Sequence, residues 1–137
     1  GAIEVADFGA GLPLSAQQSV TLAAIAAQAG PFLVFGATGS GKTEVYLQAV
    51  QRRLEANPQA QALLMVPEIN LTPQLEARVI ARFGAERVVS MHSGMTPAQR
   101  MNSWLAAHTG RARIVLGTRM AVLASLPPQR TVWVAFL

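Results

Sequence analysis

The chain has 137 residues, about one domain's worth, and is 51% hydrophobic but only 13% charged, which excludes a disordered tail. It has no cysteine, which excludes a disulfide framework and a thiolate metal site, and its two histidines and single aspartate lie far apart in sequence, which argues against a compact metal cluster. Eleven Lys and Arg against seven Asp and Glu give a net charge of +4, open both to a polyanionic partner such as nucleic acid and to a plain arginine bias in composition.

Lys42 is the only lysine and Asp7 the only aspartate. No apolar run reaches the roughly 18 residues of a membrane span. No basic stretch leads into an apolar core at the N-terminus, as a secretory signal would require. The expectation is a soluble, cytoplasmic domain with no membrane partner.

In chain order, Gly1 to Leu12 carry three glycines, so residues 1–13 read as a linker or arm and 14–137 as the folded part. Ser15 is a good N-cap for a helix through Val20, Leu22, Ala23, Ile25 and Ala26, stopped by Gly30-Pro31. Phe32 to Phe35 is a short apolar run of the kind buried on both faces of a sheet. After a glycine-rich turn, Lys42 to Glu55 reads as a helix with Val45, Leu47, Val50 and Leu54 on one stripe, ended by Asn57-Pro58.

Ala62 to Val66 reads as a strand. Thr72 to Phe83 reads as a helix, with Thr72 as cap and Pro73 at its first position. Arg87 to Met91 is a strand, Thr96-Pro97 opens a helix to about His108, and Arg113 to Leu116 and Thr131 to Phe136 are strands. This alternation predicts an α/β fold, a parallel sheet with helices on both faces, in which ligands sit beyond the carboxyl ends of the strands.

Gly36-Ala37-Thr38-Gly39-Ser40-Gly41-Lys42-Thr43 fits the G-x-x-x-x-G-K-[ST] phosphate loop at every position. The glycines let the backbone curl until several N–H groups face a phosphate. The helix that follows aims its positive dipole end at the same point. Lys42 would reach the β- and γ-phosphates of ATP, and the Thr43 hydroxyl would take one position on Mg²⁺. Gly36, Thr38, Gly39, Ser40, Gly41, Lys42, Thr43 and Glu44 are the candidate nucleotide-binding residues, with Lys42 and Thr43 in the catalytic roles.

The run from Gly36 to Tyr46, together with Val66-Pro67-Glu68-Ile69-Asn70-Leu71-Thr72-Pro73-Gln74, Met91-His92-Ser93-Gly94 followed by Arg100 and Trp104, and Ile114-Val115-Leu116-Gly117-Thr118-Arg119-Met120-Ala121, resembles the PriA family of bacterial replication-restart helicases. Leu14 to Gln18 is similar to the segment that carries that family's adenine-reading glutamine. The resemblance covers nearly everything from Leu14 to Leu123. It implies the first RecA-like lobe of a superfamily 2 helicase, a three-layer α/β/α P-loop NTPase unit that works with a second lobe to move 3′ to 5′ on DNA with ATP.

By this resemblance Gln18 would read the adenine edge with its amide; by itself it is an ordinary solvated helix residue. Backbone N–H groups of Val66 to Gln74, with Thr72 and Gln74, would hold DNA phosphates; the plain alternative is a connecting loop with Thr72 as N-cap. Thr118 and Arg119 would contact DNA, Arg119 by pairing with a phosphate; by itself Arg119 reads as a solvated residue. His92 and Ser93 would face DNA or the second lobe. Trp104 reads as packing rather than as a base-stacking platform. Single-stranded or forked DNA, and other primosome proteins, are the implied partners.

The family's next motif, Asp-Glu-Glu-His, would supply a metal-holding aspartate and a water-activating glutamate. Here Val134 is followed by Ala135-Phe136-Leu137, and no carboxylate follows Glu86. The stretch from Pro127 to Leu137 departs from the family, so the chain is expected to be truncated before that motif and to lack turnover by itself. Another superfamily 2 translocase, a small phosphate-loop kinase and a non-catalytic nucleotide-binding fragment are the competing readings.

Overall fold

A computed structural model describes residues 3–6, 16, 32–36, 43–118 and 132–137. Six strands form one sheet: β1 (Ile3–Ala6), β2 (Phe32–Gly36), β3 (Gln61–Met65), β4 (Val88–Met91), β5 (Ile114–Gly117) and β6 (Val132–Phe136). Their order is β1-β2-β6-β3-β5-β4, and every pairing is parallel. One register row runs across the whole sheet through Val5, Val34, Val134, Leu63, Val115 and Val89. β3 and β5 are buried along their full length, as central strands covered on both faces must be.

Three helices are described: α1 (Thr43–Ala56), α2 (Pro73–Phe83) and α3 (Pro97–Thr109). The crossovers β2–α1–β3 and β3–α2–β4 step one way across the sheet, and β4–α3–β5 steps back. Right-handed crossovers therefore put α1 and α2 on one face and α3 on the other. The packing agrees. Leu47 and Val50 of α1 and Val79 of α2 share a buried cluster with Ala62, Leu64, Ile114 and Leu116. On the opposite face the buried Gln61 amide donates to the carbonyls of Ala107 and Ala112, both at 2.8 Å, and Ser103 Oγ on α3 donates to the carbonyl of Ser90 at 3.1 Å.

Local chemistry sets each helix boundary. Thr72 caps α2, its Oγ1 accepting from the Leu75 N–H at 3.1 Å, with Pro73 at the first position. Thr96 and Gln99 form a reciprocal capping box at the start of α3, and Gly110, with φ of 83°, closes it in the left-handed conformation. The end of α1 is closed from a distance. Arg113, just before β5, donates from Nη2 to the carbonyls of Leu54 (2.8 Å), Asn57 (2.7 Å) and Ala60 (3.0 Å). A cation thus sits on the negative end of the helix and satisfies carbonyls that have no intrahelical partner. Burial pushes the Arg113 pKa down, with Arg87 adding to the effect, but a guanidinium stays charged.

α1 and α2 are joined on their polar side. The Glu44 carboxylate accepts from Arg78 Nη2 at 2.8 Å and from Arg82 Nη2, and Arg82 Nη1 also donates to Gln51 Oε1 at 2.9 Å. Arg78, outweighing desolvation and aided by Arg82, holds the Glu44 carboxyl below its usual range.

The strand and helix expectations from Phe32 onward agree with the structure to within a residue or so wherever residues are described. One expectation is corrected. Ile3 to Ala6, inside the stretch read as an arm, form the edge strand β1, in register with Phe32 to Phe35. Four residues next to a glycine-rich stretch carry too short an alternation to be read, and β2 supplies the pairing. The helix expected from Ser15 to Gly30 lies outside the described residues except for helical Ala16.

Two outcomes follow for stability. Arg113→Met should lower the unfolding free energy by about 2 kcal/mol, the scale of charge-assisted hydrogen bonds, with Arg113→Lys intermediate, as read by urea denaturation. Glu44 has a depressed folded-state pKa, so its contribution is present above its unfolded value and is lost as pH falls through the folded one. Wild type should therefore exceed Glu44→Gln in urea midpoint at pH 7, by a small margin for so exposed a group, and the margin should vanish in acid below the usual carboxylate range.

Candidate functional site

With every strand parallel, the carboxyl ends of β2, β6, β3, β5 and β4 reach one edge of the sheet in a register row of Gly36, Phe136, Met65, Gly117 and Met91. The ladder continues one residue further. Leu137 N–H donates to Met65 O (2.9 Å), Val66 N–H to Gly117 O (3.0 Å), and Thr118 N–H to Met91 O (3.1 Å). The rim is therefore held by backbone. Every segment marked in the sequence from Gly36 onward starts from it.

Gly36 ends β2 and Thr43 begins α1, so the phosphate-loop pattern spans a strand end and a helix start, as its chemistry requires. Thr43 is half-buried, and its hydroxyl is a hard oxygen suited to Mg²⁺. Residues 37–42, including Thr38, Gly39, Ser40, Gly41 and Lys42, lie outside the described residues, as do Gln18 and Arg119. Glu44 is described, and its carboxylate is engaged by Arg78 and Arg82. Any contact of residue 44 with a nucleotide thus falls to its backbone N–H. Among the described residues no group of three His, Asp or Glu is placed to hold a metal. A Mg²⁺ carried in by phosphates needs fewer protein ligands than that.

The segment from Val66 to Gln74 leaves β3 and turns through a 3₁₀ helix at Glu68–Asn70. Part of the backbone read as a phosphate cradle is engaged inside the protein. The N–H groups of Val66, Asn70, Leu71 and Thr72 bond within the protein, to the carbonyls of Gly117, Pro67, Glu68 and Asn70. Side chains add further donors. Thr72 Oγ1 accepts from Leu75, which leaves its proton to donate outward, and Gln74 is exposed.

His92 and Ser93 follow β4 in a tight turn. His92 Nδ1 accepts from the Gly94 N–H at 3.1 Å, so in the neutral ring the proton sits on Nε2 as a donor. A Cβ at Gly94 would come within 3.3 Å of that Nδ1, which favours glycine there. Ser93 Oγ donates to Glu68 Oε1 at 2.8 Å, and Arg100 Nη2 donates to the Ser93 carbonyl at 3.3 Å. The two rim segments are thereby tied to each other. Thr118 is only 7% exposed. Trp104 is half-buried on α3 and stacks on His108, with ring centroids 4.7 Å apart.

Sequence reasoning missed the residues that act through others. Arg78 and Arg82 stand four apart on one helix, a visible pairing of position, but their partner Glu44 lies 34 and 38 residues away. The link between Ser93 and Glu68 spans 25 residues. No local spacing announces either contact.

The sequence profile of the DEAD/DEAH box helicase family matches residues 15–134. The chain is 43% identical over 93 residues to the replication restart protein PriA of Bacillus subtilis, covering 68% of this chain and 11% of that protein. It is 46% identical over 95 residues to that of Synechocystis, covering 69% and 11%, and 42% identical over 113 residues to that of Haemophilus influenzae, covering 81% and 15%. The chain thus spans a small part of the length of these relatives. The parallel sheet, covered on both faces, is the RecA-like α/β architecture of such domains. The profile match takes in the phosphate loop, the rim segments and most of β6, and the chain belongs to the DEAD/DEAH box helicase family.

Proposed function

We propose that this chain is the ATP-binding lobe of a superfamily 2 DNA helicase that moves 3′ to 5′ and serves replication restart and primosome assembly in the cytoplasm. The observation that carries the reading is the rim. The start of the phosphate loop at Gly36, the Glu68 to Gln74 segment, the His92-Ser93 turn and Thr118 all leave one edge of one parallel sheet. Single-stranded or forked DNA and other primosome proteins are the partners of the longer protein to which such a lobe contributes, as the name of its relatives suggests.

Mg·ATP, when bound, supplies the energy of phosphoryl transfer. In this reading the loop from Gly36 to Thr43 holds its phosphates, with Lys42 on the β- and γ-groups, and Thr43 contributes one oxygen to the metal. Gln18 reads the adenine. Thr72, Gln74 and Arg119, with the turn at His92 and Ser93, hold strand phosphates without reading bases. The outer end of β6 carries Ala135 and Phe136, and neither can hold a metal or orient a water. We therefore read the chain as one that binds nucleotide without turning it over.

Two measurements test this reading. Calorimetry should find that Mg·ADP binds to wild type and that Lys42→Ala weakens binding by about 10- to 100-fold, the scale of a charge-assisted contact. Equal affinity in both proteins overturns the loop assignment. Fluorescence anisotropy with single-stranded oligonucleotides should show weak binding that is indifferent to sequence. Log affinity should fall against log salt by roughly 0.7 for each phosphate contact. A strong base preference, or affinity unchanged between low and high salt, overturns the strand assignment.

A further inference from the structure

α1 and α2 both begin at the rim. α1 opens with Thr43, and α2 opens with the Thr72-Pro73-Gln74 segment. Two side-chain ties between these helices meet on one carboxylate, Glu44, immediately after Thr43. Arg78 and Arg82 reach it from one face of α2, and Arg82 extends along α1 to Gln51. On its other side α2 is tied to β4, where Ser90 Oγ donates to Glu76 Oε2 at 3.2 Å, two residues before His92.

The apolar hold on α2 is thin. Val79 is its one fully buried residue, and Leu75, Ile80 and Phe83 are only half-buried against the core. The polar ties add little to its stability but set where α2 stands against the first turn of α1. Charge makes those ties sensitive to a nucleotide. Glu44 and a bound phosphate would share the positive end of the same helix, where like charges repel. Two guanidiniums on Glu44 offset that repulsion, and added negative charge at the loop draws them in more strongly.

We propose that Arg78 and Arg82 are positioning residues that couple nucleotide at the start of α1 to strand binding at the start of α2. This rests on the reading of the site given above. Nucleotide strengthens the hold of both arginines on the first turn of α1. That fixes α2, and with it Thr72 and Gln74. By linkage, DNA then tightens nucleotide binding by the same factor.

The test is the affinity for Mg·ADP with and without saturating oligo-dT. It is measured in wild type, Arg78→Gln/Arg82→Gln and Arg78→Lys/Arg82→Lys, each checked for folding by circular dichroism. Wild type should bind at least about five-fold more tightly with DNA, the lower end of ordinary coupling. The Gln pair should bring the ratio to one, and the Lys pair should keep most of it. If the Gln pair fails to fold, exposed Arg78→Gln alone should give an intermediate ratio. An unchanged ratio in the Gln variants overturns the proposal. So does a wild-type ratio of one when both ligands bind. Failure of wild type to bind nucleotide at all overturns the site reading and takes this coupling with it.

Discussion

Parallel pairing is the constraint from which the rest follows. Two parallel neighbours cannot be joined by a hairpin, so the chain must return over a face of the sheet before it pairs again. Each return here from β2 to β5 is a helix, and right-handed crossover decides which face it covers. As a result β3 and β5 are buried on both sides and built almost wholly of apolar residues. The same constraint sends the outgoing segment of every strand to one rim. Residues separated by up to a hundred positions in sequence meet there because the topology leaves them no other edge.

The two edges of the sheet are stabilised by different means. At the far edge, Arg113 binds three carbonyls at the end of α1, a self-contained arrangement that uses up most of its donors. At the rim the bonds are ladder extensions of the backbone together with exposed polar pairs, such as Ser93 with Glu68 and Glu44 with Arg78. Exposed pairs of this kind add little to stability. They fix where side chains stand.

Much of this was legible in the sequence, for reasons that can be named. Ala62 to Val66 reads as a strand because an apolar run of that length flanked by Asn57-Pro58 and Pro67 leaves little else. Thr72-Pro73 and Thr96-Pro97 read as helix starts because cap and first-turn preferences are local. The phosphate loop reads from its own spacing. β1 was not legible because its four residues gain their structure from β2, a tertiary pairing. The internal bonding of the Val66, Asn70, Leu71 and Thr72 N–H groups was hidden for a related reason. A 3₁₀ turn and a ladder bond to Gly117 consume donors that the sequence leaves open. The grip of Arg78 and Arg82 on Glu44 depends on how two helices lie side by side, which no periodicity within either helix encodes.

The central claim is that ligand chemistry is confined to the carboxyl rim, with phosphate at the start of α1. Amide chemical-shift mapping of the ¹⁵N-labelled chain during Mg·ADP titration tests it most directly. The account predicts shifts at Gly36, Thr43, Glu44 and the neighbouring rim residues Val66 and Thr118. It predicts none at the far edge, around Asn57 to Ala60, Gly84 to Arg87 and Gly110 to Arg113. Shifts centred on the far edge, or spread evenly over both edges, would contradict it.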